Sequence, residues 1–104
     1  MGKIADKVAV EFINRVRKKY NVKKAILFGS RARGDNFKDS DYDILIVSPD
    51  FKGIFFSQRI ARMYDFWDKL PTEVEPFCYT PEEFEIKSNQ IGLVSQAVKE
   101  GIEI

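Results

Sequence analysis

Two short apolar runs, residues 25–28 and 44–47, enclose a polar segment that contains a Gly-Ser pair and alternating aspartates. Runs this short are typical of buried strands, because a helix shows a longer periodic pattern. With their flanking residues, they predict strands over 23–28 and 41–47. The polar segment then begins where the first strand ends and finishes at the mouth of the second.

Apolar side chains at three- and four-residue spacing predict helices on both sides of these strands. An amphipathic helix is expected over about residues 4–20, and a short helical turn from Gly29 to Arg33. Another helix is expected between an N-cap at Ser57 and a stop at Pro71. Its apolar stripe consists of Ile60, Met63, Tyr64, Trp67 and Leu70. Such a stripe is more typical of a core than of a surface on which bases stack.

The last part of the chain predicts one more strand and a capped helix. The strand covers residues 72–79, and Pro76 within it indicates an edge position or an irregularity. Thr80, Pro81 and Glu83 have the pattern of a capping box with proline in the first turn of a short helix.

A final helix is expected from Ile91 to a stop at Gly101, and residues 102–104 suggest a terminal strand. A length of 104 residues favours one domain, residues 1–104. The predicted fold class is α/β, or α+β, with a small mixed sheet flanked by helices.

Composition excludes several kinds of chemistry. The chain has no histidine, which removes Ser-His and Cys-His nucleophilic pairs and histidine zinc sites. Its single cysteine, Cys78, lies in an apolar run and is interpreted as a core residue in a reducing cytoplasm. The net charge of +1 indicates no general attraction to nucleic acid, and no apolar run approaches a membrane span. Any chemistry must therefore rest on carboxylates, hydroxyls, basic groups and metal ions.

Asp41 and Asp43 alternate at the start of the second predicted strand, so their side chains should share one face of the sheet. Such carboxylates repel each other, and together they can hold a pair of divalent cations. Glu75 would complete a three-carboxylate cluster if its strand lies beside theirs, and Glu73 is the rival with the same parity. Oxygen ligands of this kind favour Mg²⁺, with Mn²⁺ as an alternative.

The Gly-Ser pair suits the phosphates of a nucleotide. Gly29 lets a ligand approach the backbone closely. Ser30 supplies a hydroxyl at the start of a helical turn, where N–H groups favour phosphate. Arg31 and Arg33 add donors that suit phosphate oxygens, and ordinary surface charge is the alternative for both. A nucleoside triphosphate with Mg²⁺ would neutralise the aspartates and place its triphosphate in the turn.

Gly29-Ser30, ten residues, and then Asp41-Tyr42-Asp43 resemble the GSx10DxD signature of the DNA polymerase beta-like nucleotidyltransferases. The run GSRARGDNFKDSDYDILIV is similar to that of the minimal members, known as MNT proteins, and the similarity continues through VEPFCYTPEEF. The family's third carboxylate matches Glu75, where many relatives have aspartate. The resemblance covers nearly the whole chain and implies the polymerase beta-like fold.

The resemblance also implies a mechanism and a partner. Asp41, Asp43 and Glu75 would hold two Mg²⁺ ions, while Gly29 and Ser30 would bind the β- and γ-phosphates of ATP. Glu75 would help to deprotonate an acceptor hydroxyl, and AMP would be transferred with loss of pyrophosphate. In modules of this family the acceptor is a tyrosine of an all-helical HEPN toxin, so the chain is expected to act as an antitoxin.

Three alternatives stay open from the sequence. The chain could modify a small molecule, such as an aminoglycoside, through a partner subunit, or it could neutralise a HEPN partner by contact without catalysis. The basic cluster within residues 15–24 suggests nucleic-acid binding, although a solvated face near a helix C-terminus is preferred. Because 104 residues leave little room for an acceptor-binding domain, a second chain or a homodimer is expected to complete the site.

Overall fold

The computed structural model describes residues 6–35, 41–70 and 73–104. The helices within them are α1 (Lys7–Arg17), α2 (Ser30–Arg33), α3 (Phe56–Trp67), α4 (Pro81–Ser88) and α5 (Leu93–Glu100). The strands are β1 (Lys24–Phe28), β2 (Tyr42–Val47), β3 (Val74–Tyr79) and β4 (Ile102–Glu103), and a 3₁₀ turn covers Pro49–Phe51.

The four strands form one mixed sheet in the order β3-β2-β1-β4. β1 is antiparallel to both β2 and β4, whereas β2 and β3 run parallel. Pro76 lies in β3, which is an edge strand, as its missing N–H favours. The small mixed sheet flanked by helices confirms the predicted fold class.

Helices cover both faces of the sheet, and alternate residues of β2 serve two separate cores. Ile44 packs on one face beneath α1 and α3, together with the fully buried Phe12 and Met63. Leu45 packs on the other face beneath α4 and α5. Burial of a side chain of this size contributes roughly 1.5–3 kcal/mol. Asp43 shares the parity of Leu45, so its carboxylate lies on the face that carries α4 and α5.

The first helix lies where the periodicity predicts it, but it is shorter than the expected range of 4–20. It ends at Arg17, because the chain turns there and Tyr20 packs its ring against Phe51 and Phe66, with ring centres 5.5 and 6.0 Å apart. It also begins later than predicted, at Lys7, because Asp6 has extended backbone and caps the helix; residue 4 itself lies outside the described residues.

The predicted N-cap of the third helix, Ser57, is wrong. α3 begins at Phe56 with Phe55 at the N-cap, and no side chain caps it. The ring of Phe56 packs on Tyr79 with centres 5.4 Å apart, so a tertiary contact fixes this helix start. The helix ends at Trp67, and the expected stop at Pro71 lies outside the described residues.

The apolar stripe of α3 is core in part. Met63 is fully buried, and Trp67 and Leu70 are half-buried against the same core. Tyr64 is 58% exposed, which corrects the expectation that it belongs to the core. Its ring rests edge-on against Trp67, with centres 5.0 Å apart, so the stripe ends at the protein surface.

The capping box at the start of α4 is confirmed, with Thr80 and Glu83 exchanging side-chain and backbone hydrogen bonds. Glu83 also pairs with the buried guanidinium of Arg59, which donates to the carbonyl of Cys78 as well. The buried Cys78 is a core residue, as expected. α5 starts after the exposed Ile91, which corrects its predicted start there.

The predicted stop of α5 at Gly101 and the terminal strand are both observed. Among the described residues, no helix is long and apolar enough to cross a membrane.

Candidate nucleotide-binding site

Two of the predicted acids face each other at the edge of the sheet where β2 and β3 begin. Asp43 is opposite Phe28 on β1 and opposite Glu75 on β3. Strands that are paired in this register bring directly opposite side chains of one face into contact. Glu73 lies one residue before β3, and its backbone carbonyl accepts a hydrogen bond from the Tyr42 amide. The geometry therefore favours Glu75 over Glu73 as the partner of Asp43.

The carboxyl of Asp43 is held in an environment that disfavours its charge. Burial raises its pKa to about 6, assisted by the negative charge of Glu75, a hydrogen bond to Glu75 and the negative charge of Asp41. The positive charge of Arg33 opposes this rise. Burial and like charges destabilise the ionised form of this carboxyl. A bound cation would stabilise the ionised form and so lower the pKa again.

Asp41 lies just before β2 and is exposed. Its carboxylate does not join those of Asp43 and Glu75 in one three-acid cluster. Within residues 6–35, 41–70 and 73–104, no three acidic or thiol side chains converge closely enough to hold one metal ion. The oxygen donors and their mutual repulsion nevertheless fit a hard divalent cation such as Mg²⁺. Asp43 and Glu75 form the closer pair, and Asp41 would have to turn towards them.

Gly29 brings the backbone of the Gly-Ser turn against the carboxylate of Asp43. Its φ of 74° lies in the region that favours glycine, and a Cβ at this position would overlap Oδ2 of Asp43. The carbonyl of Gly29 accepts hydrogen bonds from Ala32 and Arg33, both at 3.1 Å, and thereby forms the one turn of α2. Ser30 follows this close approach directly and is the first residue of α2, so its backbone begins the turn beside Asp43.

Arg33, at the end of α2, lies on the side of Asp43. It forms ion pairs with the exposed Asp35 at 3.1 Å and with the partly exposed Glu100 of α5 at 3.7 Å. Both acids raise the pKa of Arg33, and the Arg33 charge in turn acts on Asp43. Exposed pairs of this kind contribute little to stability, so the guanidinium can exchange these partners for a phosphate at small cost.

Arg31, the other predicted phosphate-binding arginine, lies elsewhere. The centre of its guanidinium is 4.3 Å from the ring centre of Tyr42. Tyr42 is buried in the core beneath α1 and α3, on the sheet face opposite to Asp43. The two arginines that the sequence treats alike are thus directed to opposite faces of β2.

Tyr42 is also hydrogen-bonded to Asp6, an interaction that the sequence did not predict. The Tyr42 hydroxyl donates to the carboxylate of Asp6, with both oxygens at 2.9 Å. Burial and this carboxylate raise the pKa of Tyr42 to about 12. Asp6 also caps α1 by accepting from the Val8 amide at 2.8 Å. Its place one residue before an apolar helical pattern was the available signal for the cap.

The comparisons with known proteins identify the family to which this chain belongs. Residues 10–102 match the model of the nucleotidyltransferase domain family. Because this match covers most of the chain, the chain belongs to the nucleotidyltransferase domain family. The predicted family and the predicted enzyme class, a nucleotidyltransferase, are thereby confirmed.

A curated protein of Methanocaldococcus jannaschii, called "Putative protein adenylyltransferase", is 54% identical over 44 residues, which are 40% of this chain. The match spans 44% of that relative, less than half of its length. A "putative nucleotidyltransferase" of Sulfolobus solfataricus superposes with a TM-score of 0.62 at 24% identity, over 98% of this chain and 90% of the other.

A structure described as a toxin-antitoxin with AMP-PNP superposes with a TM-score of 0.63 at 21% identity, over 91% of this chain and 70% of that one. At these identities, the likeness to the two solved structures shows a shared fold. It agrees with the expected nucleotidyltransferase fold.

Proposed function

We propose that this chain transfers AMP from ATP to a hydroxyl group of a partner protein and thereby acts as the antitoxin of a toxin–antitoxin pair. The observation that carries the proposal is the cross-strand pair of Asp43 and Glu75, with the Gly29 turn packed directly against it. A carboxylate pair beside a backbone turn supplies the two things that a triphosphate with its cations needs, namely oxygen ligands and a close approach to the main chain.

The chain's own residues divide the work of the reaction. Ser30 and the turn at Gly29 hold the β- and γ-phosphates, and Arg33 donates to their oxygens after leaving its exposed acidic partners. Asp41, Asp43 and Glu75 are the residues that would hold two Mg²⁺ ions. When bound, these ions supply neutralisation of the phosphate charge and of the charge that develops during transfer.

Glu75 is the proposed acceptor of the proton from the attacking hydroxyl. It is exposed at the start of an edge strand, where a substrate from solvent can reach it. The deprotonated oxygen attacks the α-phosphorus of ATP, an O–P bond forms, and the bond from the α-phosphorus to pyrophosphate breaks. Most of the rate gain would come from positioning and from electrostatic stabilisation.

The proposed acceptor is a tyrosine of a HEPN-type helical toxin. This assignment is supported by the name of the M. jannaschii relative, a protein adenylyltransferase, and by the fold shared with a toxin-antitoxin structure that contains an ATP analogue. The exposed candidate base agrees with an acceptor on a second protein, which must bring its hydroxyl to an open edge of the sheet.

Label transfer tests the proposal. Purified protein is incubated in a lysate of the source organism with Mg²⁺ and ATP labelled at either the α- or the γ-phosphate. We expect α-label, and no γ-label, on a tyrosine peptide of one helical protein identified by mass spectrometry. Asp43→Asn should abolish the signal, whereas Asp65→Asn, the same change at an exposed position of α3, should retain it.

Other outcomes would replace the proposal. Label on a small molecule in place of a protein would make the chain a small-molecule nucleotidyltransferase. Inhibition of the partner by the Asp41→Asn and Asp43→Asn double variant in the absence of ATP would make it an antitoxin that acts by contact.

A further inference from the structure

We infer that Arg31, Tyr42 and Asp6 form a clamp that positions the catalytic carboxylates, and that Arg31 is a positioning residue that does not touch the nucleotide. The inference rests on the proposed function, because it assigns a task within the same site. The three residues come from three different elements, namely α2, β2 and the N-cap of α1.

Tyr42 is held from two directions. Its hydroxyl donates to both carboxylate oxygens of Asp6 at 2.9 Å, and the guanidinium of Arg31 covers its ring at 4.3 Å from the ring centre. The ring itself is only 4% exposed. A buried tyrosine with its ring and its hydroxyl both engaged has little freedom to change rotamer.

The restraint on Tyr42 matters for the proposed site because Tyr42 lies next to the acidic residues in the chain. Tyr42 lies between Asp41 and Asp43, and its side chain points to the opposite face of the sheet. Any shift of the Tyr42 backbone therefore redirects the carboxylate of Asp43 on the other face and moves Asp41, its neighbour in the chain. The contact with Arg31 also joins β2 to α2, whose first residue, Ser30, follows the turn that packs on Asp43.

Arg33 provides the internal comparison. It lies two residues from Arg31, yet its charge acts on Asp43, and it is paired with the exposed Asp35 and the partly exposed Glu100. Arg33 is free to change partners in solvent, whereas Arg31 is placed over a buried ring. The two arginines should therefore affect different kinetic constants when they are removed.

Steady-state transfer kinetics and nucleotide binding test the assignment. We expect Arg31→Ala to lower kcat about 10-fold while the KM for ATP stays within about 3-fold, because misplacement of reacting groups slows the step more than binding. Arg33→Ala should instead raise the KM, and the Kd of a non-hydrolysable ATP analogue with Mg²⁺, about 10-fold. Arg62→Ala, at an exposed position of α3, is the matched control and should change neither constant.

A double-mutant cycle separates a clamp from a merely stabilising contact. If Arg31 acts through the Tyr42 ring, Arg31→Ala and Tyr42→Leu together should lower kcat about as much as either alone. Independent roles would multiply to about 100-fold. Tyr42→Phe keeps the ring and loses the bond to Asp6, so it should fold, as checked by its unfolding midpoint, and lower kcat by a few-fold. If Tyr42→Leu does not fold, the comparison of the analogue Kd between Arg31→Ala and Arg33→Ala decides the inference in its place.

Each outcome decides the inference. Multiplicative losses of kcat, or an Arg31→Ala Kd raised as much as that of Arg33→Ala, would overturn it and leave the proposed function standing. If the unaltered protein binds the analogue but transfers nothing, the two Kd values alone decide between contact and positioning. If the unaltered protein neither transfers nor binds the analogue, the proposed function and the clamp fail together.

Discussion

Replacement of Asp43 by asparagine should stabilise the metal-free protein at neutral pH while it abolishes transfer. The pKa of Asp43 rises from 3.8 to about 6 on folding, through burial and the neighbouring acids. Each tenfold change in acid dissociation is worth about 1.4 kcal/mol, so this rise corresponds to about 3 kcal/mol of destabilisation by the ionised group. Because Asp43 is only half-buried, solvent screening should reduce the observed effect to about 1–1.5 kcal/mol.

The pH dependence has a definite sign. Because the folded state holds the proton of Asp43 more tightly than the unfolded state, the protonated carboxyl carries no penalty below about pH 3.8. The penalty grows as pH rises towards 6 and is complete above it. The free energy of unfolding of Asp43→Asn should therefore match that of the unaltered protein near pH 3.5 and exceed it by about 1–1.5 kcal/mol at pH 7.

Urea unfolding in EDTA, from pH 3.5 to 7.5, measures this difference. Asp65→Asn on the exposed surface of α3 is the control, and its difference from the unaltered protein should stay flat with pH. Mn²⁺ at ten times its Kd should then stabilise the unaltered protein by about 1.4 kcal/mol and leave Asp43→Asn unaffected. A variant that is less stable at pH 7, or a difference that does not change with pH, would refute the reasoning.

Three further experiments probe other parts of the structure. Gly29→Ala should destabilise the fold by about 1–3 kcal/mol in urea unfolding and abolish transfer, because φ is 74° and the added Cβ would overlap the carboxylate of Asp43. Gly34→Ala is the control: its φ is 85° but the space around it is open, so it should destabilise the fold by about 1 kcal/mol and retain transfer. Glu83→Gln should destabilise by about 2–3 kcal/mol, since it leaves the buried Arg59 without its counter-charge; no change in the urea midpoint would contradict this. Cys78, whose burial raises its pKa to about 12, should resist alkylation at pH 8 until urea unfolds the chain, and rapid labelling of folded protein would contradict its placement.

Short sequence patterns predict much of the fold correctly. Strand periodicity places Tyr42 and Asp43 on opposite faces of β2, and the Thr80–Glu83 capping box locates the start of α4 to the residue. Pro76 indicates an edge strand, and β3 is at the edge. In each case the deciding interaction lies within a few residues of the pattern that predicts it.

Contacts between distant segments are what the sequence could not supply. The start of α3 depends on the packing of Phe56 against Tyr79. The sequence pattern at Ser57 resembles an N-cap but contains no information about that contact. The choice of Glu75 over Glu73 depends on the parallel register of β3 against β2. The different directions of Arg31 and Arg33 depend on which buried or charged side chain each one meets, and their spacing carries no such information.

The two ends of the β2–β3 pair allow the carboxylate that we propose for ligand binding, Asp43, to be compared with one that stabilises the fold, Glu83. At the far end, Glu83 meets the guanidinium of Arg59, and that hydrogen bond lowers its pKa. The charge of Glu83 is thus neutralised by a partner within the protein, and the pair stabilises the folded state. At the near end, burial and like charges raise the pKa of Asp43, and its close neighbour Glu75 has the same charge. Because no side chain among the residues that the structure describes neutralises this repulsion as Arg59 neutralises Glu83, the proposed Mg²⁺ ions would be the groups that balance the charge of Asp43 and Glu75.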